Sequence, residues 1–304
     1  MSKILVTGGS GLVGRYLKQI MPDAYYISSD DYDLTKENEV ELLFKKNRFK
    51  TVIHLAARVG GVHHNIIEPV KYFEENILMN TFILKYSYKN KVKYFLTLLS
   101  SCIYPDRIKK FPIKEKNLFE GAPHESLFSY SYAKRSMAVQ IDAYNKKFKT
   151  NYNYIIPCNL YGEFDKFGDI EGHFVGALIE KIIEAKKNKK NYISLFGDGT
   201  PKRQFMHAKD LAKIIKLSID NKITENFNVA TNENYSVKKI AQLALKACNF
   251  KEAKISFDKN MPNGQMRKDI DISKLKKLFP KFKPIKLVDG IKQVYINRSK
   301  LNNV

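Results

Sequence analysis

The chain reads as an α/β protein built on a doubly wound parallel sheet, with a smaller α/β lobe after it. Three observations predict this class. Short continuous apolar runs alternate with longer amphipathic ones, which is the signature of buried parallel strands crossed by helices. A glycine-rich turn, Gly8-Gly9-Ser10-Gly11-Leu12-Val13-Gly14, joins the first run to the first helix. Beyond Gly162 the elements shorten and the alternation becomes less regular.

Residues 3–7 form the first strand, and a helix opens near Leu12. Gly8, Gly11 and Gly14 give a G-x-x-G-x-x-G spacing between strand and helix. Glycines there permit a tight turn and a close approach by a pyrophosphate, which rests on the helix N-terminus. The turn makes the fold Rossmann-type and predicts a bound dinucleotide, with Gly8, Ser10, Gly11, Leu12, Val13, Gly14 and Arg15 around it. A second strand over residues 24–28 ends in Ser28-Ser29-Asp30-Asp31. This strand end separates NAD from NADP, and its signal is mixed: Asp30 suits a ribose hydroxyl, while Arg15 suits a phosphate. Ser29 is a further candidate contact. A helix follows through Phe44.

The run Thr51-Val52-Ile53-His54-Leu55-Ala56-Ala57 is the third strand, and small Ala56 and Ala57 at its end admit a cofactor. Residues 58–62 read as a loop, 69–89 as a long helix and 94–100 as the next strand. A substrate-side loop spans 106–128, followed by a helix over about 130–148 and a strand over 151–156. A loop over 163–172 leads to His173 at the mouth of a helix reaching about Lys187. Strands over 192–196, 227–230 and 254–257 then alternate with helices over 210–220 and 236–248, and two basic helices finish the chain. The expected division is a dinucleotide-binding domain over residues 1–162, whose core also receives segments near 200–232, and a substrate lobe over 163–304.

Tyr130 and Lys134 stand four apart on a helix and share a face. An ammonium beside a phenol stabilises the phenolate, so the pair suits proton donation to a carbonyl under reduction. Tyr132 lacks such a partner, because Ser136 stands four residues on. Ser100 and Cys102 are two apart at a strand end and point the same way, one to hold a carbonyl and one for proton chemistry.

The 304 residues suffice for a full core in at most two domains. With 44% hydrophobic residues the chain is globular, and no apolar run is long enough to span a bilayer. The N-terminus enters a strand directly, so no signal peptide is expected. Three cysteines, Cys102, Cys158 and Cys248, argue against a disulfide framework and for a cytoplasmic, reducing setting. No metal site is expected, since neither these cysteines nor His63, His64 and His124 have ligand spacing. Lys and Arg number 53 against 31 acids, a formal charge of +22. These cations are scattered along helices and not interleaved with aromatics, so a phosphate-bearing small molecule is favoured over a nucleic acid.

Taken together, these stretches resemble the GDP-L-fucose synthase family, within the extended short-chain dehydrogenases/reductases. The carrying segments are Thr7 to Gly14, His54-Leu55-Ala56-Ala57-Arg58-Val59-Gly60-Gly61, Ser100-Ser101-Cys102-Ile103-Tyr104-Pro105, Tyr130-Ser131-Tyr132-Ala133-Lys134-Arg135, Pro157-Cys158-Asn159-Leu160-Tyr161-Gly162, His173 and Thr200-Pro201-Lys202-Arg203-Gln204-Phe205. The resemblance implies NADPH as cofactor, with NADH left open by Asp30, and a GDP-linked keto-deoxy sugar as substrate. It implies that Cys102 and His173 are base and acid for C3/C5 epimerisation. Tyr130 then protonates the C4 oxygen, Lys134 lowers its pKa and binds the nicotinamide ribose, and Ser100 holds the carbonyl. Asn159 and His173 are further cofactor contacts, and Arg203, Lys268 and Lys181 are the diphosphate ligands. A homodimer packed through the Tyr130 helix and its neighbour is also implied. Two other readings stay open: a C4-reductase of a GDP-4-keto-6-deoxy-heptose without epimerisation, and a non-catalytic basic Rossmann binding protein.

Overall fold

The computed structural model describes residues 3–168, 172–261 and 263–301. Of the loop expected over 163–172, residues 169–171 lie outside the described residues, as do Met1 and Ser2 at the expected N-terminal strand entry. In chain order the first half runs β1 (Ile4–Thr7), α1 (Leu12–Ile20), β2 (Tyr25–Ile27), α2 (Glu37–Lys46), β3 (Thr51–His54), α3 (Val62–Ile67), α4 (Pro69–Lys89), β4 (Tyr94–Leu98), α5 (Phe128–Phe148) and β5 (Tyr152–Pro157). The second half runs β6 (Asn159–Tyr161), α6 (Phe174–Lys187), β7 (Tyr192–Phe196), β8 (Lys202–His207), α7 (Ala208–Asp220), β9 (Phe227–Val229), β10 (Asn234–Ser236), α8 (Val237–Ala247), β11 (Lys254–Asp258), α9 (Ser273–Leu278) and α10 (Leu287–Leu301).

The central sheet has six strands in the order β2-β1-β3-β4-β5-β9, all parallel. From β1 the chain steps one way to β2 and then the other way to β3. Right-handed crossovers therefore place α1 and α4 on opposite faces. The order reverses between β1 and β3, and ligands of such sheets bind outside the carboxyl ends at that point. The strands are apolar on both faces because both are covered: Val52, Ile53, Phe95, Leu96, Ile155 and Ile156 are fully buried. The doubly wound sheet is as the sequence predicts.

Two apolar clusters fill the molecule. The larger surrounds the central sheet, and it also takes in Met206 to Ile215, Phe227 to Ala230, and Ile270, Leu275 and Phe279. The 270–279 contribution was not legible in the sequence. The second cluster joins α6, α8 and α10 to β7 and β11, with Tyr161 and Phe205 at its edge. A three-stranded sheet, β10-β8-β6, connects the two.

Some local expectations change. The expected 58–62 loop ends one residue early: α3 starts at Val62, with Gly61 as its cap residue, and runs to Ile67, a helix the sequence did not announce. Ser100 and Cys102 do not extend a strand: β4 stops at Leu98, and Ser101–Ile103 is one turn of 3-10 helix. Among the described residues no helix is long and apolar enough to cross a membrane. Nor do these residues contain a group of three His, Cys, Asp or Glu arranged to hold a metal ion.

Candidate active site

The glycine turn is built to admit backbone and little else. Gly8 has φ +69, and a Cβ there would lie 2.8 Å from the Ala56 nitrogen at the end of β3. A Cβ on Gly14 would come within 2.4 Å of the Gly8 carbonyl, so glycine lets α1 sit directly on the turn. The Gly11 N–H donates to the Gly8 carbonyl at 3.1 Å, which leaves the first N–H groups of α1 without acceptors inside the helix. Those donors and the positive helix end suit a pyrophosphate. Val13 belongs to the core, so only its backbone faces the turn. Ser10 and Gly11 are exposed, while Leu12, Ala56 and Ala57 are half-buried around them.

A buried relay fixes this corner. Thr7 Oγ1 accepts from the Leu55 and Ala56 N–H groups, each at 3.2 Å, and lies 2.8 Å from His54 Nδ1. With both acceptor sites used, the hydroxyl donates to Nδ1, so the ring proton sits on Nε2 and is donated to Asn80 Oδ1 at 3.0 Å. Burial and the nearby Lys134 hold the His54 pKa down to about 3, so the ring is neutral. Its lone polar place in an apolar strand was the one sequence signal for this relay.

At the end of β2, Ser29 and Asp30 are exposed. The Asp31 carboxylate turns back to accept from the Ser28 N–H at 2.8 Å and its hydroxyl at 2.9 Å. Arg15 Nε donates to the Ser10 carbonyl at 3.1 Å, and its guanidinium lies 5.4 Å from the Phe164 ring centre. That places the cation at the glycine turn. Asn159 donates to the Gln204 carbonyl at 2.9 Å, joining β6 to β8.

Ser100, Cys102, Tyr130 and Lys134 meet at the carboxyl end of β4. Ser100 Oγ lies 2.7 Å from Cys102 Sγ, and the Tyr130 phenol is close enough to both residues for each to act on its pKa. The 3-10 turn, not a strand alternation, makes them face each other. Helix α5 is sewn to that turn: Ser131 Oγ donates to the Cys102 carbonyl at 3.0 Å, and Arg135 donates to the carbonyls of Ile103 and Gly121. Lys134 is buried and donates to the Leu98 carbonyl at 3.0 Å, with Nζ 6.0 Å from the Tyr130 ring centre. Desolvation brings its pKa down to about 8. Lys134, expected to lower the phenol pKa, is not among the groups that shift it before a cofactor binds. Burial and then the Cys102 charge push the Tyr130 pKa well up, against a smaller lowering by the nearby Ser100 hydroxyl. The phenol is therefore in its protonated, donor form near neutral pH.

Cations converge from the second half of the chain. Arg203 on β8 is half-buried, and desolvation lowers its pKa to about 10. Lys268 has its pKa lowered by burial, and it interacts electrostatically with Cys102, Arg203 and Cys158. Its neighbours hold it in place: the Lys202 N–H donates to the Met266 carbonyl at 2.9 Å, and the Ile113 N–H to the Asp269 carbonyl at 2.8 Å. Lys181 on α6 stands apart, with Nζ 5.7 Å from the centre of the exposed Phe196 ring.

His173 is the cap residue before α6, and its Nδ1 lies 2.7 Å from Asp165 Oδ1. The hydrogen bond to Asp165 raises the His173 pKa above its ordinary value, against opposing burial. The same segment carries Glu163, bonded to the Tyr16 hydroxyl and 3.2 Å from His207 Nε2. Burial favours the neutral acid, but nearby His207 and the hydrogen bond from Tyr16 outweigh it and bring the Glu163 pKa down to about 2. This cluster clamps the end of β6 onto α1. Sequence reasoning found neither Asp165 nor Glu163, because their partners lie on other elements.

The sequence profile of the NAD dependent epimerase/dehydratase family matches residues 4–230. The GDP-L-fucose synthase of Dictyostelium discoideum is 35% identical over 287 residues, 91% of this chain and 89% of that protein. The GDP-L-colitose synthase of Yersinia pseudotuberculosis is 33% identical over 276 residues, 88% of this chain and 89% of that protein. Among solved structures, a GDP-L-fucose synthetase from Naegleria fowleri bound to NADP superposes with a TM-score of 0.88 at 30% identity, covering 100% of this chain and 95% of that one. By its sequence and its fold, the chain belongs to the NAD dependent epimerase/dehydratase family and, within it, to the GDP-L-fucose synthase family.

Proposed function

We propose that this protein is an NADPH-dependent oxidoreductase and epimerase of GDP-sugars. It epimerises a GDP-4-keto-6-deoxy-hexose at C3 and C5 and reduces the C4 ketone, giving GDP-L-fucose or a close relative. The observation that carries this reading is the grouping of Cys102, Ser100 and Tyr130 beside a dinucleotide cradle, with Lys268 interacting electrostatically with both Cys102 and Arg203. A binding protein has no need of that set.

The C4 ketone acidifies the hydrogens at C3 and C5. The Cys102 thiolate removes one, and the electron pair moves into the C4 oxygen, where the Ser100 and Tyr130 hydroxyls stabilise the enolate. His173 returns a proton to the opposite face of the carbon. NADPH, when bound, supplies the hydride that reduces C4. Tyr130 gives its proton to the C4 oxygen, and the Lys134 ammonium stabilises the phenolate left behind; Lys134 would also hold the nicotinamide ribose. The first-turn N–H groups of α1 hold the pyrophosphate. Arg203 and Lys268 take the substrate diphosphate, Arg203 as a planar fork. Lys181 and the exposed Phe196 take the guanosine end.

The larger cluster around the sheet is the cofactor half, and the α6–α8–α10 cluster is the substrate half. The exposed side chains of Val70, Phe73 and Leu78 on α4 and of Val139 on α5 support a dimer through these two helices. Three free cysteines and the absence of a membrane-length helix among the described residues support a cytoplasmic enzyme. The test is consumption of NADPH with GDP-4-keto-6-deoxy-mannose. Turnover by the natural chain, lost in Tyr130→Phe, is expected; no consumption by either would overturn the assignment.

A further inference from the structure

The loop after β6 holds a carboxylate that the reaction above does not use. Asp165 has a side chain only 2% exposed, while the His173 side chain it contacts is 42% exposed. Its Oδ1 accepts from the Lys166 N–H at 2.9 Å as well as from His173 Nδ1 at 2.7 Å. The Asp165 backbone N–H is itself fixed to the Gly162 carbonyl at 3.1 Å. The loop lies directly against the first turn of α6. A Cβ on Gly176 would stand 2.8 Å from the Lys166 carbonyl and 3.8 Å from Asp165 Oδ2. The carboxylate is thus the anchored partner, and the imidazole is the group that reaches outward.

We propose that Asp165 is the positioning residue for His173: it holds Nδ1–H, so that Nε2 alone exchanges protons with the sugar. This rests on the epimerase reading above and deepens it. In the step, the Nε2–H bond breaks and a C–H bond forms at the enolate carbon. Asp165 remains ionised and keeps its hydrogen bond, so the neutral ring is left as a single tautomer. Two charges face the ring: Asp165 favours the imidazolium, and Lys166, from the same loop, opposes it. The same carboxylate that holds the ring therefore also favours its charged form before the transfer.

Three variants test the proposal: Asp165→Asn, His173→Gln and the double substitution. Deuterium incorporation at C3 and C5 of GDP-4-keto-6-deoxy-mannose is followed in D2O across pH, alongside NADPH reduction of the pre-epimerised ketone. Asp165→Asn is expected to slow incorporation by about 10–100-fold, the usual effect of losing a carboxylate behind a histidine. Its pH limb is expected to move to lower pH, with reduction unchanged within about twofold. In the His173→Gln background, Asp165→Asn is expected to add nothing further. Wild-type incorporation rates, an unmoved limb or additive losses in the double variant would overturn the proposal. NMR titration of the His173 ring gives a readout free of the reaction. A lower midpoint in Asp165→Asn supports the coupling, and an unchanged one removes it. If the natural chain incorporates no deuterium yet the midpoint still falls, the epimerase reading has failed and the Asp165–His173 coupling stands.

Discussion

The reducing and epimerising halves of this site are built differently. Tyr130 and Lys134 are buried on one face of a 21-residue helix that is sewn to the Ser101–Ile103 turn by Ser131 and Arg135. His173 stands half-exposed at the mouth of α6, held by one carboxylate from a loop. Cys102 is half-buried on the 3-10 turn, beside Ser100. The proposed reducing pair is thus positioned by a rigid element and a local spacing, and the proposed epimerising acid by a single contact with the loop that precedes its helix. Protonation follows the same division. Burial keeps the Tyr130 phenol protonated, whereas the contact with Asp165 shifts His173 towards its charged form.

The comparison is broken most severely at Tyr130. Tyr130→Phe removes the proton donor and is expected to cost about 10²–10⁴ in reduction rate, while NADPH still binds in a fluorescence titration. Unchanged turnover would remove Tyr130 from its role. Cys102→Ser is next: C3 and C5 exchange should fall by about 10² or more, while a pre-epimerised ketone is still reduced. Normal exchange in that variant would place the base elsewhere.

Lys134 sharpens the contrast through pH. Its ammonium form predominates below a pKa of about 8, so reduction should decline as pH rises through that value and lose nothing to this group below it. A rate that stays level from pH 7 to 10 would show that the charge on Lys134 is not used.

The smallest expected effect lies outside the chemistry. Glu163 has a pKa of about 2 in the folded protein against an ordinary 4.5. Its stabilising contribution is thus complete above pH 4.5 and is lost as pH falls towards 2. Glu163→Gln should lower stability by about 1–3 kcal/mol at neutral pH, because it weakens a hydrogen-bonded charge beside buried His207. Denaturant titrations should also show a shallower acid limb for the variant. Equal stabilities at neutral pH and at pH 3 would argue against the clamp.

What could be read from the sequence follows the range of each interaction. The parallel strands were legible because burial on both faces leaves runs such as Thr51 to Ala57 almost wholly apolar. Gly8 and Gly14 were legible because their backbone demands exclude a side chain. Tyr130 and Lys134 were legible because a helix fixes the geometry of residues four apart. The 3-10 turn at Ser101–Ile103 was not, since its shape depends on Ser131 and Arg135, some thirty residues on. Helix α3 was hidden by Gly60 and Gly61, which read as loop but serve as its approach and cap. Asp165, Glu163 and the Thr7–His54–Asn80 relay join side chains from separate elements. No local pattern announces such pairs.

The most direct measurement is the reaction of GDP-4-keto-6-deoxy-mannose with NADPH in D2O, with the product examined by NMR. Deuterium at both C3 and C5 of a C4-reduced, L-configured sugar is the expected result. It requires Cys102, His173 and Tyr130 to act in one site. Reduction without deuterium at those carbons would contradict the account, leaving a C4-reductase in which Cys102 and His173 only bind the sugar.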